Sequence, residues 1–139
     1  MLRAIGIKKN ILALSKETKL KGMSFYIKGE SRLIRSRGKR KHSGVVFPVS
    51  EADFNNLSGQ IRGAIKYLKK NHAELSSLAS KGFKDMQLDF GIDKRDVGAQ
   101  FDCFPPELLR LAGQMEIGIE LSQYLIEDEE PTKGKGKKR

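Results

Sequence analysis

From Ser50 to Lys81 the apolar residues fall at steps of three and four: Phe54, Leu57, Ile61, Ala64, Ile65, Leu68, Leu75 and Leu78. That spacing lays them on one face of a helix. Ser50 suits the N-cap, where its hydroxyl can accept from a free first-turn amide. Asp53, three residues on, completes a variant of the capping box. Gly82 suits the stop, because glycine tolerates the left-handed backbone that ends many helices. An unbroken helix over this stretch would be roughly 45 Å long at about 1.5 Å per residue, against ~17–20 Å for a typical strand. Asn71-His72-Ala73-Glu74 supplies a break, with Asn71 as a new N-cap and Glu74 at its third helical position. The pattern predicts a helix over 51–70, a break near Asn71 and a helix over 72–80.

On either side the period changes to two. Met23, Phe25 and Ile27 alternate with Ser24, Tyr26 and Lys28, which predicts a half-buried strand. Ser43 to Phe47 is a short run rich in β-branched residues, ended by Pro48, which cannot donate to a ladder. Met86, Leu88, Phe90 and Ile92 form one alternating set, and Val97, Ala99, Phe101 and Cys103 another, separated by the polar Asp93-Lys94-Arg95-Asp96. Read as a hairpin, Ile92 pairs with Val97, Phe90 with Ala99, Leu88 with Phe101 and Met86 with Cys103, so every pair is apolar on one face. Phe104-Pro105-Pro106-Glu107 opens a shorter helix, since proline suits a first turn. Leu108, Leu109, Leu111 and Ala112 give that helix its apolar side, and Gly113 a stop. Ile117, Ile119 and Leu121 then alternate with polar residues in a last strand ending near Tyr124.

From Ser43 the order is therefore β-α-β-β-α-β, preceded by an extra strand at 23–28. This is the order of the ferredoxin-like split βαβ motif. The expected fold is α+β: an antiparallel sheet with both helices on one face and strands 43–48 and 96–103 in its middle. The expected core comprises Phe54, Leu57, Ile61, Ile65, Leu68, Leu88, Phe90, Val97, Phe101, Leu108, Leu111, Ile117 and Ile119. One domain is expected over 23–126.

Three stretches carry a resemblance: LDFGI at Leu88–Ile92, FPPELL at Phe104–Leu109 and IGIELSQY at Ile117–Tyr124. Over about residues 85–124 the chain resembles small bacterial α+β domains of unknown function with a ferredoxin-like arrangement. The shared motifs are a strand, a proline-started helix and a strand. They bring no functional residue with them.

The net charge of +10 in 139 residues suggests a polyanionic partner until it is divided along the chain. Residues 1–48 hold thirteen Lys/Arg against two acids, a net +11; residues 49–126 net −2; residues 127–139 net +1. The positive charge belongs to the first third. Residues 1–22 mix apolar and basic residues without the long apolar run of a secretory signal. They are expected to be a basic N-terminal extension that adds little to the fold. Residues 127–139, EDEEPTKGKGKKR, have nothing apolar to bury and are expected to be a disordered charged tail. No run approaches the ~18 apolar residues of a membrane span. The single cysteine, Cys103, excludes an internal disulfide framework and fits a reducing, cytoplasmic compartment. It falls on the apolar side of its run and is expected to be a buried thiol.

The candidate chemistry is sparse. His42 and His72 are the only histidines, and no His-Cys pair has a metal-ligand spacing. No catalytic constellation stands out, so no enzyme activity, cofactor or metal is expected. An RNA-recognition motif would place aromatics on the open face of the strand at 96–104, where the hairpin register instead places Gly98, Gln100 and Asp102. That face gathers Asp89, Asp102, Glu116 and Glu120, which repels phosphate but suits a basic protein partner. In the same register Asp89 and Asp102 lie on a diagonal ~7–8 Å apart between backbones. The strongest cationic candidate is the loop at 32–42, RLIRSRGKRKH, whose Arg32, Arg35, Arg37, Lys39, Arg40 and Lys41 can neutralise phosphates. The expected function is a small non-enzymatic module acting by protein–protein contact, as an inhibitor, immunity-type protein or adaptor. Its partner is not identifiable from the residues. The alternative is nucleic-acid binding through 32–42.

Overall fold

The computed structural model describes residues 1–32 and 37–126. The predicted disordered tail and Arg35 lie outside them. In chain order the elements are β1 (Leu2–Ile5), α1 (Lys8–Glu17), β2 (Ser24–Tyr26), β3 (Gly44–Phe47), α2 (Leu57–Lys70), α3 (His72–Ser76), β4 (Lys84–Lys94), α4 (Pro106–Gln114) and β5 (Gly118–Leu125). The class is α+β, and the five strands form one mixed sheet in the order β2-β3-β1-β4-β5.

The helices end and begin where local chemistry directs. α2 and α3 meet at Asn71, whose side chain donates to the Tyr67 carbonyl at 3.0 Å. After α3, Gly82 takes φ +87 and the Phe83 amide reaches back to the Leu78 carbonyl. α3 itself stops at Ser76, short of the predicted 80, and Gly82 instead closes the turns that follow it with the left-handed backbone its position predicts. α4 starts on Pro106 and runs past Gly113 to Gln114; the turn after it closes at Glu116, which takes φ +55 while the Ile117 amide bonds the Ala112 carbonyl.

Residues 1–22 overturn the expectation of a dispensable extension. β1 is the central strand, antiparallel to β3 on one side and to β4 on the other. Leu2, Ala4, Ile11, Leu14 and Leu20 are all buried in the core. Leu2 stands opposite both Phe47 and Leu88, and Ala4 opposite Val45, so one face of the sheet is apolar across its middle strands. Leu108 and Ala112 of α4, Leu68 of α2 and Leu75 of α3 complete a single cluster over that face.

The hairpin of 86–92 with 97–103 does not form. Residues 95–105 are not strand, Val97 and Phe101 are exposed, and Cys103 is an exposed free thiol. β4 pairs instead with β5, in parallel: Leu88 with Ile119, Phe90 with Leu121, Ile92 with Gln123. α4 is the crossover that parallel neighbours need. The sheet is therefore mixed, with β1 and β4 in place of strand 96–103 at its middle, and the ferredoxin-like strand order is not the observed one. Both pairings satisfy the period-two pattern of β4. The parallel one wins because it puts Ile119 and Leu121 beside the apolar row of β4 while α4 covers them.

The predicted helix start at 51 is also corrected. β4 has eleven residues and β1 only four, so the second half of β4 has no strand on that side. The main chain of 50–56 takes that place. The Asp93 amide donates to the Phe54 carbonyl, and Gln60 Nε2 donates to the carbonyls of Gly91, at 2.7 Å, and Asp53. Unpaired β4 groups would otherwise be left without partners. α2 therefore begins at Leu57, capped by Asn56 accepting from the Gly59 amide. Phe54 is exposed rather than in the core.

Candidate functional site

The two ends of the sheet differ in chemistry. At one end β1 finishes while β3 and β4 begin; this end is basic. β2 and β3 continue beyond the sheet as a two-stranded ribbon. The Gly29 amide donates to the Arg40 carbonyl, the Arg40 amide to Glu30 and the Arg32 amide to Gly38, and Ser31 bridges Lys39. The 32–42 segment is thus a paired ribbon over its described part. Arg37, Lys39 and Lys41 are exposed on it, whereas Arg32 is half-buried. The Arg40 guanidinium lies 4.2 Å above the Tyr26 ring, a cation–π contact that holds it against the sheet.

Beneath the ribbon, the β1–α1 junction opens a cleft of about 410 Å³ lined by Lys8, Lys28, Lys41, His42 and Lys84, with Gly6 in its wall and no carboxylate. Of its residues only Lys41 stood among the sequence candidates. The charge count of the first third pointed to Lys8 and Lys28, but only the start of β4 brings in Lys84.

Of the four acidic candidates only Asp89 and Glu120 come together, as register partners on β4 and β5. Asp89 is buried and accepts from the Ser122 hydroxyl at 2.7 Å. Asp102 accepts from Gln100 Nε2 at 3.0 Å and lies 3.7 Å from Arg95, in the segment after β4. Glu120 is paired with Arg3 across the uncovered face, and Glu116 belongs to the turn that ends α4. The diagonal of Asp89 with Asp102 depended on the hairpin and goes with it; of the expected acidic face, Asp89 and Glu120 stand side by side on the sheet while Asp102 and Glu116 lie outside the strands. Among the described residues no three His, Cys, Asp or Glu side chains cluster as metal ligands, and no helix is long and apolar enough to cross a membrane.

At the opposite end of the sheet Phe54 stacks on Tyr124, with centroids 4.9 Å apart and planes within 7°. A side chain at Gly91 would meet Phe54 at 2.9 Å and Tyr124 at 3.3 Å, so this glycine inside β4 is what lets the two rings close over the sheet. Ile126 lines the same groove as Phe54, and Leu125 and Ile126 are 77% and 59% exposed. Among the described residues the outer edge of β5 makes no backbone hydrogen bond, because its one strand neighbour is β4.

Tyr67, on α2, is the most perturbed side chain. Burial pushes its phenol up to about 12, and its hydroxyl is buried without a hydrogen-bond partner among the described residues. It therefore stays a neutral packing group across the physiological range.

Compared with protein-family models, with curated proteins and with solved structures, the chain matches none.

Proposed function

We propose that the protein is a non-enzymatic binding module that acts by protein–protein contact, taking an extended segment of its partner as an added strand against β5. The edge of β5 supports this reading. It is eight residues long, GIELSQYL, with no lysine, proline or bulge of the kind that blunts exposed edges. By contrast the other edge strand, β2, has three residues. Main-chain groups along an open edge select an extended chain, and apolar side chains beside it add specificity. Tyr124, Leu125 and Ile126 stand ready for that role. An inhibitor, immunity-type or adaptor protein works in this way without catalytic residues, and the lone free Cys103 fits a cytoplasmic setting.

A photo-crosslinking side chain at Gln123 tests the reading. One discrete protein adduct is expected, and it should disappear when Leu125→Lys is added. Leu125→Lys itself should change stability by no more than about 0.5 kcal/mol, as at other exposed positions. An adduct indifferent to Leu125→Lys, or none at all, would argue against the edge.

A second reading, nucleic-acid binding through 32–42, is favoured by the ribbon that presents Arg37, Lys39 and Lys41 to solvent. Contacts from Arg32, Arg35, Arg37, Lys39, Arg40 and Lys41 to six phosphates would give log affinity against log salt a slope of about −5 on duplex DNA. Neutralising Arg35, Arg37, Lys39 and Arg40 should make that slope shallower by roughly 3–4 units. Affinity unchanged in the variant removes this reading.

A further inference from the structure

We propose that the cleft between the β1–α1 junction, the base of the ribbon and the start of β4 is a binding site for a short chain of phosphates, such as the oligophosphate group of a small molecule. Lys8, Lys28, Lys41, Lys84 and His42 line one space of about 410 Å³ whose lining includes no carboxylate residue. None of the four lysines is within ion-pair distance of a carboxylate among the described residues. The two acids of the first 48 residues are placed elsewhere: Glu30 accepts from the Ile27 amide inside its own turn, and Glu17 ends α1 at the far end from the cleft.

Like charges around one cleft repel one another, and an anion between them offsets that cost. The main chain adds to the field. α1 is ten residues long, its N-cap is Ile7, which offers no side-chain acceptor, and its first turn has no acid. The amides of Lys8, Lys9 and Asn10 have no acceptor among the described residues, the first bond being Ile11 to the Ile7 carbonyl. Free amides and the helix dipole both favour negative charge at that point. Gly6 holds the junction close: a side chain there would meet the Phe83 ring at 2.6 Å.

Convergence on one cleft distinguishes this site from the ribbon. The ribbon spreads its charges along an edge, as a polymer backbone requires. The cleft sets four around one space, which suits a compact ligand carrying three or four negative charges. The site also lies at the opposite end of the sheet from Tyr124 and Leu125, so it does not depend on the proposed partner edge.

The test is calorimetric titration of the full chain with orthophosphate, pyrophosphate and tripolyphosphate at ~0.15 M salt, where surface attraction is largely screened. Saturable one-to-one binding is expected, tightening in that order. Lys8→Ala and Lys84→Ala should each weaken tripolyphosphate about tenfold, the usual loss for one charge-assisted hydrogen bond. Lys16→Ala, at the other end of α1, and the combined Arg37, Lys39 and Arg40 variant should leave it unchanged. Lys8 and Lys84 are both exposed, and a thermal scan of each variant confirms that it is folded. A parallel titration with short duplex DNA identifies the source of the phosphates. DNA binding lost with the ribbon and kept with Lys8→Ala supports a small-molecule site. Equal losses in Lys16→Ala and Lys8→Ala, loss of tripolyphosphate binding only in the ribbon variant, or no saturable binding would overturn the proposal.

Discussion

Removing residues 1–22 should abolish cooperative folding. The deletion takes out β1, the strand that joins the β2–β3 pair to the β4–β5 pair, so the sheet is cut through its centre. It also takes four large apolar side chains from the core: Leu2, Ile11, Leu14 and Leu20, each no more than 5% exposed. At ~1.5–3 kcal/mol for each buried Leu or Ile, the loss is roughly 6–12 kcal/mol, as large as the whole stability of an ordinary domain, ~5–15 kcal/mol. The exposed edges of β3 and β4 would then invite aggregation. Circular dichroism through a thermal scan should show a sigmoidal transition for the full chain and none for the chain starting at Met23. A truncated chain that melts cooperatively within a few degrees of the full one would mean that β1 is an accessory strand after all.

The second large effect separates two positions that the alternating pattern treats alike. Leu88 and Phe101 both sit at apolar positions of period-two runs, and an antiparallel hairpin would bury them side by side. In the structure Leu88 is fully buried between Leu2 and Ile119, while Phe101 is 82% exposed. Leu88→Ala should therefore cost ~2–5 kcal/mol, the transfer of a leucine plus the cavity it leaves. Phe101→Ala should stay within about 0.5 kcal/mol. Urea unfolding of the two variants beside the parent chain measures both. Equal and large costs would restore the hairpin and with it the acidic face of Asp89 and Asp102.

Part of the fold was legible because its signals are local. The break at Asn71, the left-handed turn at Gly82, the proline start of α4 and the apolar rows of β4 and β5 depend on a few neighbouring residues and the backbone angles they permit. The basic first third of the chain was legible from charge counting alone. The cleft was not, because Lys8, Lys28 and Lys84 are far apart in the chain and meet only through β1 and β4.

The sequence by itself determined which residues prefer helix, which alternate, and where the chain must turn. It also determined how the charge is divided. Only the tertiary structure decided which alternating runs become strands and which strands pair. A period of two says which side chains share a face, but nothing about the direction or identity of the neighbour, so 97–103 and 118–125 made equal claims on β4. Burial settled that claim, since β5 arrives with α4 over its apolar row. Likewise Leu-Arg-Ala-Ile at 2–5 is too short, and its start too strongly basic, to announce a central strand. It becomes one because β3 and β4 leave a gap one strand wide, and filling it satisfies both their main chains while burying Leu2 and Ala4.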